Sequence, residues 1–74
     1  MEDKIRAIIA EELNIAIEKV IPGASLERNL HIDSLDIIDI VVALEEEFDI
    51  DIRDKDVEKW VTVADVVKCV KEYK

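Results

Sequence analysis

The sequence predicts an all-α fold, a small three-to-four-helix bundle with a long loop between the first and second helices. Three stretches carry apolar residues at helical spacing. Pro22 and Gly23 are the only Pro and the only Gly of the chain, so no such residue interrupts these stretches. No segment alternates long enough to predict a strand. The 74 residues provide room for one domain, 1–74, with one small core.

The first helix is predicted from Asp3 to Leu13. Asn14 is expected to end it, because Asn tolerates the left-handed backbone that follows many helices. The apolar side chains of this stretch share one helical face: Ile5, Ile8, Ile9 and Leu13.

Residues 15–32 show no regular period and are predicted to form a long loop, with a turn at Pro22-Gly23. One helical turn is expected from Ser25 to Arg28, with the Ser25 hydroxyl capping it. A connection of this length in a compact domain usually has a function.

The second helix is predicted from Asp33 to Phe48, with Asp33 or Ser34 capping its start. Its apolar residues form two stripes. The stripe that should dock on the core is Ile37, Ile40, Val41, Leu44 and Phe48. The second, roughly 140° away, is Leu35, Ile38 and Val42, flanked by Asp39, Glu45 and Glu46. Periodicity leaves two interpretations open: a partner surface, or a stripe covered by a neighbouring helix.

The acidic segment after Phe48 has the alternating carboxylates of a calcium-binding loop, but two positions do not match the pattern of such a loop. Asp54 stands where the loop needs Gly, and Trp60 stands where it needs Glu. We therefore predict no dedicated metal site. A short helix is expected from Asp54 to Lys59.

The last helix is predicted to begin at Thr62, which has capping-box spacing to Asp65. Its core stripe should be Val63, Val66, Val67 and Val70. Lys68, Lys71 and Lys74 lie toward its negative end, where cations are favoured. Cys69 is interpreted as a packing residue.

The formal net charge of −9 excludes some classes of partner. Nucleic acids and anionic membrane surfaces require clustered Lys and Arg, so partners with basic patches are expected instead. The single cysteine cannot form an internal disulfide, which favours the cytoplasm. No apolar run approaches the ~20 residues of a membrane span, so no membrane insertion is expected. The charged Met1–Lys4 segment is unlike a targeting sequence. A monomer is expected.

Independent catalysis is not predicted, because the required constellations are missing. His31, Asp33 and Ser34 lie within four consecutive positions, whereas a catalytic relay converges from separate segments. The chain has no Gly-x-Ser-x-Gly elbow, no phosphate-binding Gly-rich loop and no Cys/His metal cluster.

The run Asp33-Ser34-Leu35-Asp36, followed by Asp39 and the segment 43–50, resembles the central motif of acyl carrier proteins. The resemblance extends from Ile5 to Tyr73. It implies that Ser34, between Asp33 and Leu35, carries a covalent 4'-phosphopantetheine arm derived from coenzyme A. A separate phosphopantetheinyl transferase (holo-carrier synthase) would install the arm. Its thiol would hold acyl groups as thioesters for fatty-acid, polyketide or related lipid biosynthesis.

The resemblance also implies two further sets of residues. Acyl-transferring, condensing or acyl-activating enzymes with basic patches would dock on Leu35, Asp39, Val42, Glu45, Glu46, Ile52 and Glu58. An acyl chain would be lined by Ile40, Val41, Leu44 and Trp60.

Two residues depart from the family pattern. Trp60 is bulkier than the aliphatic residue common there, which predicts a reshaped cavity and a short or polar cargo. His31 replaces a common Gly, which predicts a change in the local backbone. Both departures indicate a specialised carrier.

Two alternative functions stay open at this stage. An aminoacyl or peptidyl carrier would share the fold and the arm, although Asp33 and the acidic second helix favour acyl cargo. An unmodified acidic helical adaptor would bind basic partners through the same face.

Overall fold

The computed structural model describes residues 1–73 and confirms the all-α prediction. Its four α-helices, in chain order, are α1 (Glu2–Leu13), α2 (Ser34–Phe48), α3 (Asp54–Val57) and α4 (Val63–Tyr73). A 3₁₀ turn at Ile17–Lys19 was not predicted. Residues 1–73 contain no strand, only one isolated antiparallel bridge between Ser25 and Thr62. Lys74, predicted near the end of the last helix, lies outside the described residues.

The core is aliphatic and forms where α1, α2, α4 and the long loop meet. The largest side chains that are fully buried are Ile5, Ile9, Val20, Ile40, Leu44, Val63, Val66 and Val70. Within residues 1–73, no polar or charged residue is buried. Burial of apolar surface is therefore the main force that holds the bundle together. The predicted stripes of all three long helices lie against this core.

The long loop is held in place by side chains and by hydrogen bonds to two helices. Its buried side chains are Val20, Ala24, Leu26, Leu30 and Ile32. Arg6 of α1 donates from Nε to the Val20 carbonyl at 2.6 Å and from Nη2 to the Ile17 carbonyl at 3.2 Å. The first bond satisfies the Val20 carbonyl, which accepts from no backbone N–H of residues 1–73, whereas the Ile17 carbonyl also accepts from the Val20 N–H at 2.9 Å.

The predicted turn after Ser25 is confirmed. The Asn29 N–H donates to the Ser25 carbonyl at 3.0 Å, and the Arg28 N–H donates to Ser25 Oγ at 3.1 Å. The Leu26 N–H also donates to the Val61 carbonyl at 2.9 Å. The loop is thus fixed to the segment that precedes α4.

The predicted capping box at the start of α4 is also confirmed. Asp65 Oδ2 accepts from the N–H groups of Val61 and Thr62, each at 2.9 Å, and the Asp65 N–H donates to Thr62 Oγ1 at 3.3 Å. The bonds from the Thr62 and Val61 backbones lower the pKa of Asp65 below its ordinary value. This carboxylate therefore stabilises the fold above its ordinary pKa, and the contribution is lost as the pH falls through the lowered value.

Side-chain oxygens from α2 and α4 bond the two backbone N–H groups that precede the short helix α3. Before it, the Ile52 N–H donates to Glu45 Oε2 of α2 at 2.8 Å. At its start, the Arg53 N–H donates to the Tyr73 hydroxyl at 3.1 Å, and that hydroxyl donates to Asp56. Tyr73 therefore connects α3 to the last turn of α4.

Within residues 1–73, three residues other than glycine have a left-handed backbone. Asn14 and Asp49, with φ of 56° and 55°, end α1 and α2, as predicted for Asn14. His31, with φ of 55°, lies three residues before Ser34. His31 therefore holds a Cβ in a conformation that glycine adopts without steric cost, and the predicted change in the local backbone stays a prediction.

We predict that His31→Gly is more stable than His31→Ala by about 1 kcal/mol. Both variants remove the exposed imidazole, and only Ala keeps the Cβ in a left-handed conformation. Urea denaturation of the two variants measures the difference. Equal stabilities would show that the backbone at position 31 is not under steric constraint.

Gly23 provides the matched control for this comparison. Its φ is not positive, and a Cβ placed there would meet no atom within 4 Å. Gly23→Ala should therefore stabilise the chain by about 0.4–1 kcal/mol, because Ala restricts the unfolded state. The free energy of unfolding is thus expected to be higher with Ala than with Gly at position 23, and higher with Gly than with Ala at position 31.

Candidate functional site

The start of α2 presents an exposed serine whose hydroxyl is not used as a helix cap. Asp33 is the N-cap: the Asp36 N–H donates to Asp33 Oδ1 at 2.9 Å, and the Asp33 N–H donates to Asp36 Oδ2 at 3.2 Å. This reciprocal capping box leaves Ser34 as the first residue of the helix. Of the two capping residues left open by the sequence, the structure selects Asp33.

The backbone around Ser34 can accept an anionic substituent. In the described chain, no acceptor bonds the N–H groups of Ser34 and Leu35, which lie at the positive end of the helix. Asp33 and Asp36 oppose an anion by charge repulsion, but Asp33 is exposed and Asp36 half-buried, so water and salt screen this effect. A phosphodiester on Ser34 Oγ therefore fits the helix terminus.

Ser34 has no catalytic partner within residues 1–73. No side chain there forms a hydrogen bond with its hydroxyl, and His31 is exposed to solvent. A serine without a base nearby is not activated as a nucleophile. An enzyme that modifies Ser34 must therefore supply the general base that deprotonates its hydroxyl.

The second apolar stripe of α2 is uncovered. Leu35 is 71% exposed, Ile38 57% and Val42 46%. Asp39 and Glu46 beside it are also exposed, as is Glu58 at the end of α3. The structure therefore favours the partner-surface interpretation over coverage by a neighbouring helix.

Two residues predicted for this face are less accessible than the others. Ile52 is only 5% exposed, so the prediction that it offers surface to a partner is wrong. The left-handed Asp49 turns the chain after α2, and Ile52 then packs into the core. Glu45 is half-buried, and its Oε2 bonds the Ile52 N–H.

The four residues predicted to line an acyl chain belong to the packed interior. Ile40 and Leu44 are buried, Val41 is half-buried, and Trp60 is 9% exposed. A chain that entered among them would have to displace side chains.

An open cleft of about 510 Å³ lies next to this part of the core. Its apolar lining is Leu26, Ile32, Ile37, Trp60 and Val61, and its polar lining is Ser25, Glu27 and Arg28. Ile37 is one helical turn from Ser34, so the cleft is close to the exposed serine. Sequence reasoning missed this cleft because the loop and the segment before α4 contribute most of its lining, and neither has a helical period.

The structure offers little for metal binding or membrane insertion. Residues 1–73 contain no group of three or more His, Cys, Asp or Glu side chains that could hold a metal ion. None of the helices described above is long and apolar enough to cross a membrane.

The chain matches a family model and is similar to proteins of one kind. The model for the phosphopantetheine attachment site matches residues 3–70. An acyl carrier protein of Helicobacter pylori strain J99 is 44% identical over 72 residues, which are 97% of this chain and 92% of the relative. An acyl carrier protein of Thermosynechococcus vestitus is 46% identical over 65 residues, or 88% and 80%.

A solved structure has the same fold. It is that of a candidate acyl carrier protein from Mycobacterium tuberculosis, with a TM-score of 0.91 and 32% identity. The match covers 99% of this chain and 97% of that one.

Proposed function

The chain belongs to the acyl carrier protein family, whose cofactor is covalent 4'-phosphopantetheine, and on that premise we propose that Ser34 is the attachment residue. The observation that supports this most directly is the division of roles between two neighbours: Asp33 caps α2, and the exposed Ser34 hydroxyl keeps no bond within the described chain. The phosphopantetheine group supplies a terminal thiol that holds acyl groups as thioesters.

Each residue of the attachment motif has a distinct role in this proposal. Asp33 fixes the start of the helix and hence the direction of Ser34 Oγ. The N–H groups of Ser34 and Leu35 stabilise negative charge at the helix terminus. Leu35 projects beside the attachment point as exposed apolar surface.

Family membership implies interaction with a phosphopantetheinyl transferase and with enzymes that handle acyl groups. We propose that these enzymes dock on the α2 face, defined as Leu35, Ile38, Asp39, Val42, Glu46 and Glu58, with Glu45 at its half-buried edge. Apolar contacts at the centre and carboxylates at the rim suit weak binding to a basic patch. The net charge of −9 would accelerate such encounters.

Members of the family act as carriers, and we propose that this chain likewise catalyses no reaction of its own. The absence of a base beside Ser34 in residues 1–73 supports this. We also propose fatty-acid, polyketide or related lipid biosynthesis as its pathway. The cytoplasm is proposed as its compartment, since Cys69 is a free thiol.

We further propose that the cargo is short or polar. Ile40, Val41, Leu44 and Trp60 would line its chain, and the bulk of Trp60 would limit the length that fits. The burial of Ile40 and Leu44 supports this limit.

Attachment is tested by mass spectrometry. Incubation with coenzyme A and a promiscuous phosphopantetheinyl transferase should add the mass of one 4'-phosphopantetheinyl group. Ser34→Ala should abolish the gain, and Ser25→Ala, which removes the other serine, should retain it. A gain that survives Ser34→Ala would contradict attachment there, and no gain in the unchanged protein would favour an unmodified adaptor.

Docking is tested by reversing one charge on the α2 face. Asp39→Lys should lower the kcat/KM of the transferase by about tenfold at low salt, because it places a cation opposite the basic patch of the partner. The matched control is Glu11→Lys, an equal charge change on the exposed surface of α1. Equal losses in both variants would indicate a dependence on net charge alone and would exclude a specific face.

Cargo size is tested by the hydrolysis of thioesters on the loaded protein. Butyryl thioester should be protected from hydroxylamine more than decanoyl thioester, because Trp60 leaves little room for a long chain. Trp60→Leu should extend protection to the decanoyl group. If the unchanged protein protects both chains equally, the proposed limit on length is wrong.

A further inference from the structure

A second open cleft, of about 510 Å³, lies between α3 and α4 and uses no residue of α2. We call it the α3–α4 cleft. It is lined by Arg53, Asp56, Lys59, Trp60, Asp65, Lys68, Cys69, Glu72 and Tyr73. Its volume is in the range of small-molecule sites. Of the residues that line it, only Trp60 has a role in the carrier function proposed above.

The cations of this cleft lack ion-pair partners, although the chain as a whole is acidic. Arg53, Lys59 and Lys68 form no salt bridge within the described residues. Lys68 contributes to the lowered pKa of Asp65 through its charge, without direct contact.

Two of the three acids in the cleft are engaged by donors instead. Asp56 accepts from the Tyr73 hydroxyl, and Asp65 accepts from the backbone N–H groups of Val61 and Thr62. Among the charged side chains of the lining, those without a hydrogen bond or ion pair in residues 1–73 are therefore the three cations and Glu72.

The floor of the cleft holds a buried donor without an acceptor. Trp60 is 9% exposed, and its Nε1 has no hydrogen-bond partner in residues 1–73. The Cys69 sulfur also lines the cleft, and the Trp60 N–H lies close enough to offset part of the rise that burial causes in the pKa of this thiol, but sulfur is a weak acceptor and the pair does not meet the geometry of a hydrogen bond. A buried N–H without an acceptor costs free energy, and a ligand oxygen that reaches it removes that cost.

The titratable groups with shifted pKa values in the described chain all line this cleft, which is typical of ligand sites. Burial raises the pKa of the Cys69 thiol. The hydrogen bond to Asp56 raises the pKa of Tyr73. Both groups are therefore neutral at pH 7 and do not repel an anion.

We propose that the α3–α4 cleft binds a small monocarboxylate. One carboxylate oxygen accepts from Trp60 Nε1, and Lys59, Lys68 and Arg53 balance the charge. The carbon chain packs on the indole ring. A multiply charged anion fits less well, because the formal charges of the lining cancel and the chain carries a net charge of −9.

Binding requires a local rearrangement. Nε1 has less than 1 Å² of exposed area, so an acceptor reaches it only after neighbouring side chains move. Lys59 and Lys68 are exposed, and the proposal requires the indole to turn toward the open side of the cleft. The chain has a single Trp, so its fluorescence reports this event directly.

The test is a fluorescence titration of the full chain with sodium butyrate at pH 7 and constant ionic strength. A saturable change is expected, and butyramide, which has the same shape without charge, should give none. Lys59→Gln should weaken butyrate binding by at least about fivefold. Its matched control, Lys55→Gln, removes the same charge from an α3 residue outside the cleft and should change the affinity by less than about twofold.

Trp60→Phe tests the indole donor while it keeps an aromatic ring. Butyrate should shift the amide signals of residues 65–72 in the unchanged protein, and this variant should require at least about fivefold more butyrate for the same shift.

Several results would overturn the proposal. Equal weakening by Lys59→Gln and Lys55→Gln would reveal only general charge attraction. A change that does not saturate would exclude a site, and tighter binding of inorganic phosphate would exclude the monocarboxylate class. Ser34→Ala is expected to bind butyrate unchanged, so this test stands apart from the attachment of the arm.

Discussion

The reciprocal capping between Asp33 and Asp36 determines how α2 presents its residues. A helix that began one residue later would lack this capping box. Ser34 would then be the capping residue, and its hydroxyl would bond the backbone instead of facing solvent. The observed start leaves the Ser34 hydroxyl available at the helix terminus. It thereby separates the structural task of beginning the helix from the chemical task proposed for the serine.

Burial of one apolar stripe determines which residues of α2 face the bundle. Ile40, Leu44 and Phe48 are buried, whereas Leu35 and Ile38 are exposed. The angular separation of the two stripes could be predicted from the sequence, because it follows from helix geometry alone. The sequence could not predict whether another element covers the second stripe, because that depends on where the other helices pack. The resemblance of the motif favoured an exposed surface, and the tertiary structure then provided it.

Local signals predicted the ends of the helices well. Asn14 and the Thr62–Asp65 box bond residues that are close to them in the chain, so both signals can be recognised from a short stretch of sequence. Contacts between distant segments were not predictable in this way. The Arg6 bonds to the loop join residues 14 and 11 positions apart, and no local pattern marks them. Ile52 was misplaced for the same reason, since the turn at Asp49 decides which way it points.

The largely aliphatic interior also determines which groups can enter the bundle. Its side chains are held by contacts that have no preferred direction, and within residues 1–73 no buried ion pair locks one helix against another. Neighbouring hydrocarbon groups can therefore exchange partners at little cost, provided that the space stays filled. A guest hydrocarbon would substitute for contacts of the same kind instead of breaking specific ones. A guest larger than the volume that those side chains vacate would strain the bundle, so the interior selects against bulky hydrocarbon groups.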